Sequence, residues 1–342
     1  MSQIFDPLRT DDEYHQQHLL NLLTQVAATG YRFTVPTPLT HQRFLTQRGK
    51  STAVSMRTLF GWNCAFDLHD VPPLLLATMR AANVIIETSA SLRSAIRIAT
   101  IDAQLFLHSA FPTTEEASVF FGPDTYRFVR FVREFIQHHI LQHTPRHDQL
   151  PTKQRPIRIL DIGCGSGAGG VAAAKMIAEG GREVLLTLTD ISPQALHFAT
   201  INATFARVPA TAILSDGFEN LSGDFDLIIT NPPYLQDPSK RLYRHGGDRL
   251  GRALSHRLAV ESLDRLTPGG TLMLYTGVAI VDGVDGLLAE LQLPLKQSGC
   301  HWSYAEIDPD VFGEELEQLA YLQVDRIAAV GLIATRSKQT SA

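Results

Sequence analysis

The chain has 342 residues, 44% of them apolar, and a formal net charge of −5; this is enough to bury a sizeable core and predicts two domains. Cys64, Cys164 and Cys300 stand far apart with no C-x-x-C spacing, which argues against a disulfide framework or a zinc site and for reduced thiols in a cytoplasmic protein. The first residues lack a basic region followed by an apolar core, and no apolar run approaches the roughly 20 residues of a membrane span, so neither secretion nor membrane insertion is expected.

In chain order, His15 to Ala28 and Pro72 to Ile86 read as helices. Leu92 to Ile101 and Gln104 to Phe111 read as strands joined by a tight turn at Asp102-Ala103. A helix followed by a hairpin suggests a winged-helix-like module; a small α+β cap that shapes an active-site mouth fits equally well. A helix follows from Tyr126 to Gln142. The stretch from Gln142 to Pro156, with Pro145, Pro151 and Pro156 among polar residues, has the composition of a linker. The expected division is an N-terminal α+β recognition or cap domain over 1–115, a connecting helix and linker over 116–155, and a larger domain over 156–337.

That larger domain alternates strand and helix signals, the pattern of a Rossmann-like α/β fold with a mostly parallel sheet. Strands are expected over Ile157–Ile162, Val184–Asp190, Thr211–Leu214, Phe225–Thr230 and Thr271–Tyr275. Two late apolar runs, His301–Ile307 and Arg326–Thr335, would complete seven strands. Helices are expected over Ala168–Glu179, from the Ser192-Pro193 cap to about Phe205, and over Leu250–Leu266, ended by Pro268-Gly269-Gly270. No internal repeat is visible.

Two of the strand ends carry chemistry. Leu160-Asp161-Ile162-Gly163-Cys164-Gly165-Ser166-Gly167 is a glycine-rich strand-to-helix turn, in which Gly163, Gly165 and Gly167 let the backbone approach a ligand without a Cβ in the way. Asp161 is placed to face a ligand ammonium group. Asp190, ending the next strand, can accept both hydroxyls of a ribose, a feature shared with dinucleotide enzymes. Asp216-Gly217 ends the third strand, where a carboxylate can meet an adenine amino group, and Phe218 can pack on the adenine ring. Each aspartate could instead be a cap or turn residue, and Phe218 a core side chain.

The second motif, Asn231-Pro232-Pro233-Tyr234, ends Phe225–Thr230, since neither proline can donate to a strand ladder. The Asn231 side-chain oxygen and the Pro232 carbonyl can both accept from one –NH2 group, and Tyr234 offers a flat face to a planar acceptor. An amide or aniline-like nitrogen attacks poorly because its lone pair is delocalised. Two accepted hydrogen bonds favour localising that pair and aiming it at an electrophilic carbon. Together the motifs point to in-line methyl transfer from S-adenosylmethionine to a planar nitrogen, with Asn231 adjoining the cofactor as well as the acceptor. The chemistry calls for neither a metal nor a covalent intermediate.

On these motifs, residues 157–335 resemble the class I S-adenosylmethionine-dependent methyltransferases with an Asn-Pro-Pro-Tyr motif, in the branch that contains the HemK-type protein glutamine-N5 methyltransferases and the adenine-N6 methyltransferases. The resemblance implies a seven-stranded sheet with an antiparallel last strand. It also implies that Asn231 and Pro232 bind the acceptor nitrogen beside Tyr234. Pro123-Asp124-Thr125 resembles part of the Pro-Arg-Pro-Glu/Asp-Thr-Glu element of HemK-type enzymes, with the arginine absent and Tyr126 in place of the glutamate.

Acceptor identity rests on weaker signals. Residues 1–155 carry 15 basic and 13 acidic side chains and residues 156–342 carry 15 and 22, a balance that speaks against a long nucleic acid. Against this, Lys240, Arg241, Arg244, Arg249, Arg252 and Arg257 form a basic run that is either a solvated face or a surface for an anionic substrate. A protein glutamine is the leading expectation; adenine in RNA or DNA and a small molecule are the alternatives, and a non-catalytic cofactor-binding subunit is a further one. His139, His143 and His147 recur at helical spacing without a carboxylate, His245 and Arg244 sit in a loop near the acceptor motif, and Trp302 reads as core.

Overall fold

The structure, a computed structural model, describes residues 12–48, 53–87, 91–113, 115–141 and 155–338. Most of the expected linker, with His143 and His147, lies outside the described residues.

The N-terminal part holds helices α1 (Asp12–Ala28), α2 (Pro38–Arg48) and α3 (Pro73–Ala81), the short strand pair β1 (Ile85–Glu87) and β2 (Leu92–Ser94), and the hairpin β3 (Ile96–Ile101) and β4 (Gln104–Ser109). The helix expected over Pro72–Ile86 ends at Ala81: Asn83 turns left-handed at φ 50°, and Ile85 starts a strand paired to Ser94. The strand expected over Leu92–Ile101 is two, interrupted at Ala95, whose N–H donates to the Val84 carbonyl. The Asp102-Ala103 turn is as expected, with Ile101 opposite Gln104. Nearly all of β3 and β4 is buried, so the hairpin is a packed element of the N-terminal α+β part.

Helix α4 (Pro123–Phe135), extended by a wider turn to Leu141, leads to the larger domain. There the order is β5 (Ile157–Ile162), α5 (Ala168–Glu179), β6 (Val184–Asp190), α6 (Pro193–Phe205), β7 (Ala210–Leu214), β8 (Phe225–Thr230), α7 (Ala253–Asp264), β9 (Leu266–Val281), β10 (Val284–Asp285), α8 (Gly286–Gln297), β11 (Cys300–Asp308) and β12 (Arg326–Arg336). Caps set the helix starts: Ser192 Oγ accepts from Ala195 N–H at 3.3 Å, with Pro193 at the first helical position, and Asp285 accepts from Leu288 N–H at 2.9 Å.

Seven strands run β11-β12-β9-β8-β5-β6-β7, with β10 folded back on β9. β5 through β9 are parallel and β12 is antiparallel to both neighbours, the Rossmann-like topology the motifs implied. Strand β9 is longer than the expected Thr271–Tyr275. Its register against β8 jumps between Leu266 and Thr271, so Pro268-Gly269-Gly270 makes a bulge inside the element. Trp302 is 42% exposed instead of core, because β11 is an edge strand covered on one face at most.

Each sheet face has its own apolar layer. Leu160, Ile162, Ile228, Leu272 and Leu274 pack on one side with Leu258, Leu263, Leu287 and Leu291 of α7 and α8. On the other side Ile159, Leu188, Leu227 and Ile229 join a layer that continues through α4, α5 and α6 into Leu19, Leu23, Ile98 and Leu107 of the N-terminal part. The two parts share one core. Asn202 of α6 fastens them: its carboxamide accepts from Leu107 N–H at 2.8 Å and donates to the carbonyls of Leu107 at 3.0 Å and Ser166 at 2.8 Å.

Candidate active site

The parallel strands end along one edge, where ligands of open α/β sheets sit. β5 releases the glycine loop, β6 ends at Asp190, β7 leads to Asp216, and β8 leads to Asn231. Ile162 and Thr230 are register partners on adjacent strands, and the Thr230 hydroxyl donates to the Ile162 carbonyl at 2.9 Å. The glycine loop and the acceptor motif therefore leave the sheet side by side. They line one cavity enclosing about 1390 Å³ of empty space, its mouth included.

Gly163 and Gly165 take φ of 66° and 53°, in the left-handed region, and a Cβ on either would meet no protein atom within 4 Å. The cradle is bare backbone. Asp161 is buried beneath it, its Oδ2 accepting from Gly170 N–H at 2.7 Å; burial pushes its carboxyl up to about 7. Asp190 accepts from Gly165 N–H and Ser192 N–H, each at 2.9 Å, and burial raises its pKa as well. Each oxygen keeps a second lone pair for a ligand. Asp216 and Gly217 line the same cavity, Asp216 with its Oδ1 held by the Arg257 guanidinium at 2.5 Å.

Two expected cofactor residues do not line the cavity. Gly167 turns the chain into α5 at φ 75°, with Ala199 3.1 Å from where its Cβ would be, so its part is helix packing. Phe218 faces the other way, beneath the Arg265 guanidinium at 5.0 Å, and packs on the α7–α8 layer. Ile191, 47% exposed, lines the cavity next to Asp190; following an acidic strand end, it gave no signal separable from a turn residue.

On the acceptor side Asn231 lines this cavity, and among the described residues its buried Oδ1 has no hydrogen-bond partner. A buried acceptor left open is costly, and it fits a site whose donor arrives with the substrate. Pro232, Pro233 and Tyr234 line the wall beside it. The Tyr234 ring lies on Gly277, where a Cβ would come within 2.3 Å of it, and meets Phe312 edge-on at 5.8 Å. Its hydroxyl donates to Asp124 Oδ2. Phe312 holds a left-handed backbone at φ 54°, uncommon for a bulky residue and without a sequence signal.

Pro123-Asp124-Thr125 opens α4 directly under the acceptor motif. Tyr126, standing where the HemK-type element has glutamate, accepts Val35 N–H at 2.9 Å and so ties the N-terminal part to α4. Across the mouth, the Phe120 and Tyr243 rings lie nearly parallel, 6.0 Å apart, and the Tyr243 hydroxyl donates to the Thr113 carbonyl. Arg244 also lines the cavity, paired with Glu315, while His245 Nδ1 is buried without a partner and off the wall. His139 stacks on Phe135 at 4.7 Å.

The arginines of the basic run are all engaged. Arg241 makes a two-point contact with Asp237, Arg244 pairs with Glu315, Arg249 and Arg252 share Glu290, and Arg257 holds Asp216. The run is a loop and helix face whose arginines are held by carboxylates of the same domain.

Comparison with known proteins points to methyltransferases. Residues 147–279 match the family model of the methyltransferase small domain. A release factor glutamine methyltransferase of Deinococcus radiodurans is 33% identical over 183 residues, 49% of this chain and 59% of that protein. The corresponding enzyme of Koribacter versatilis is 29% identical over 179 residues, 48% of this chain and 58% of that one. A ribosomal RNA small subunit methyltransferase C of Pasteurella multocida is 37% identical over 129 residues, 36% of this chain and 34% of that protein. The chain thus spans less than two thirds of the length of the curated relatives it matches. Over residues 147–279, and over up to about half of its length, the chain is thus similar to methyltransferases, release factor glutamine methyltransferases among them.

Proposed function

We propose that the protein methylates a planar sp2 nitrogen, the side-chain amide of a glutamine in a protein, with S-adenosylmethionine as the methyl donor. The observation that carries this reading is the open Asn231 Oδ1, buried in the cavity that the glycine loop also lines. The bare backbone at Gly163 and Gly165 and the carboxylates of Asp161 and Asp190 fit the donor: Asp161 toward its ammonium group, Asp190 toward its ribose, with Asp216 and Gly217 at the adenine end. The donor supplies a methyl group made electrophilic by a sulfonium centre. Asn231 Oδ1 and the Pro232 carbonyl accept the two amide N–H groups, which draws the nitrogen lone pair out of conjugation and fixes its direction, while Tyr234 bounds the slot. The N–C bond forms as the S–C bond breaks, S-adenosylhomocysteine leaves as a neutral thioether, and the methylated nitrogen, now cationic, loses one N–H proton to water; orientation and hydrogen bonding of this kind lower the barrier.

Protein is favoured over nucleic acid by the pairing of the arginines of the basic run with carboxylates, which leaves little cationic surface for phosphates. The names of the release-factor relatives support the same choice; the ribosomal RNA relative keeps adenine in RNA as the alternative. Residues 1–115 would then act as recognition or cap unit, 116–155 as connector and 156–337 as the methyl-transferring unit. A cytoplasmic setting suits three free cysteines, and no helix of the described residues is long and apolar enough to cross a membrane.

The test is incubation of the purified protein with methyl-labelled S-adenosylmethionine and a fractionated lysate. Label in protein, recovered as N5-methylglutamine, supports the reading; label confined to nucleic acid replaces it with the adenine reading. In the same assay Asn231→Ala should lose at least two orders of magnitude in turnover while cofactor affinity by calorimetry stays within about twofold. Retained turnover would remove Asn231 from the chemistry.

A further inference from the structure

One carboxylate outside both motifs is built into the acceptor side. Asp124, the second residue of α4, is 5% exposed on the cavity wall. Its Oδ2 accepts the Tyr234 hydroxyl; its Oδ1 accepts the Tyr275 hydroxyl at 3.1 Å and Arg127 Nη1 at 2.9 Å. Arg127 Nη2 reaches on to Asp308, also at 2.9 Å. The charged and titratable groups facing Asp124 thus come from four places: Arg127 on its own helix, Tyr234 after β8, Tyr275 on β9 and Asp308 at the end of β11. A carboxylate is costly to bury even when paired, so a site that collects four elements around one is explained by what it holds.

We propose that Asp124 is a positioning residue for methyl transfer: by holding the Tyr234 hydroxyl it sets the height of the Asn231-Pro232-Pro233 segment against the acceptor nitrogen. The inference rests on the methyltransferase reading given above. Tyr234 follows two prolines directly, and each proline ring fixes its own φ, so the tetrapeptide has few soft torsions. Displacement of Tyr234 is therefore passed to the Pro232 carbonyl and to Asn231 instead of being absorbed between them. The other contacts of the ring, its face on Gly277 and its edge on Phe312, are apolar and leave it free to slide in its own plane. The hydroxyl bond to Asp124 is what stops that slide. Phe312 belongs to the segment that begins just after Asp308, so the Arg127 bridge steadies the ring from both sides.

The test compares the full chain with Asp124→Asn, Tyr234→Phe and the double variant, using the acceptor fraction that wild type labels. The expected result is a loss in kcat of ten- to hundredfold in each single variant, with cofactor affinity within twofold. The double variant should be no worse than the weaker single one, since both break the same contact. Hydrogen exchange at residues 234–236 should quicken at least tenfold in all three. Wild-type kcat should fall as pH is lowered through about 6, where burial has moved the Asp124 carboxyl, and Tyr234→Phe should flatten that fall. Unchanged kcat in Tyr234→Phe, which leaves the Asp124–Arg127 pair intact, overturns the proposal even if Asp124→Asn folds poorly. Losses that multiply in the double variant overturn it too. Absence of transfer by wild type to any fraction removes the methyltransferase reading instead, and the positioning role with it.

Discussion

Asp161 shows how much a single buried carboxyl can reveal about ligand binding. It keeps one backbone donor, Gly170, and burial raises it to about 7, with Asp190 adding repulsion. A ligand ammonium group favours the ionised form, so S-adenosylmethionine binding should tighten as pH rises from 6 to 8 and should release a proton near pH 7. Calorimetry in buffers of different ionisation enthalpy checks this, and Asp161→Asn should abolish the dependence. The sign for stability is the reverse. A pKa raised above the unfolded value stabilises the fold below about 4 and loses that contribution as pH climbs through about 7. Asp161→Asn should therefore raise the unfolding free energy at pH 8 by about 1–3 kcal/mol while weakening cofactor binding.

At this scale Asp161, Gly163, Gly165, Asp190, Asp216, Asn231, Pro232 and Tyr234 could be grouped from sequence because each sits where an apolar run stops, and all of them line one cavity. Phe218 and Trp302 could not, because whether an aromatic side chain faces a cavity, a helix layer or solvent depends on strand order and edge position. Asp124 was half legible: its motif marked it, but the two tyrosines and the arginine it binds lie more than a hundred residues away or one helical turn along.

Among the elements, those with a dedicated signal were recovered closely: α5, α6 and the parallel strands β5 to β8 have caps, glycine exits or continuous apolar runs. Those without one were missed or blurred. Pro72–Ile86 is apolar except at Thr78, Arg80 and Asn83, and so few polar positions carry too little period to separate α3 from β1. Helices α2 and α8 were not foreseen; α2 is largely polar, and Pro294 lies inside α8. The contact between α6 and β4 was invisible for a different reason, since nothing local says that Asn202 will serve a strand 95 residues earlier. Asn202→Ala would strand an N–H and two carbonyls in a fully buried place, and should lower unfolding stability by roughly 2–5 kcal/mol in urea titration. Because Ser166 belongs to the cofactor loop, cofactor affinity should fall in the same variant.

For the molecule as a whole, what composition left undecided was decided by pairing. A basic run of six residues could be a solvated face or a surface for an anionic substrate; in the structure Asp237, Glu290, Glu315 and Asp216 take up its arginines from inside the same domain. Methylation of the native acceptor should therefore change by less than about threefold between 50 and 200 mM salt. An enzyme resting on six to ten phosphate contacts would lose roughly 10³–10⁵ in affinity over that range, so a steep salt dependence would count against a protein acceptor. The hairpin β3–β4 bears on how new specificities could be made. Since its strands have no free side and Leu107 is stitched to α6, residues 1–115 are not an exchangeable cassette. A chimera that imports another recognition unit would have to bring a matching α6 with it, or rebuild the seam around position 202, before any change of target could be read out.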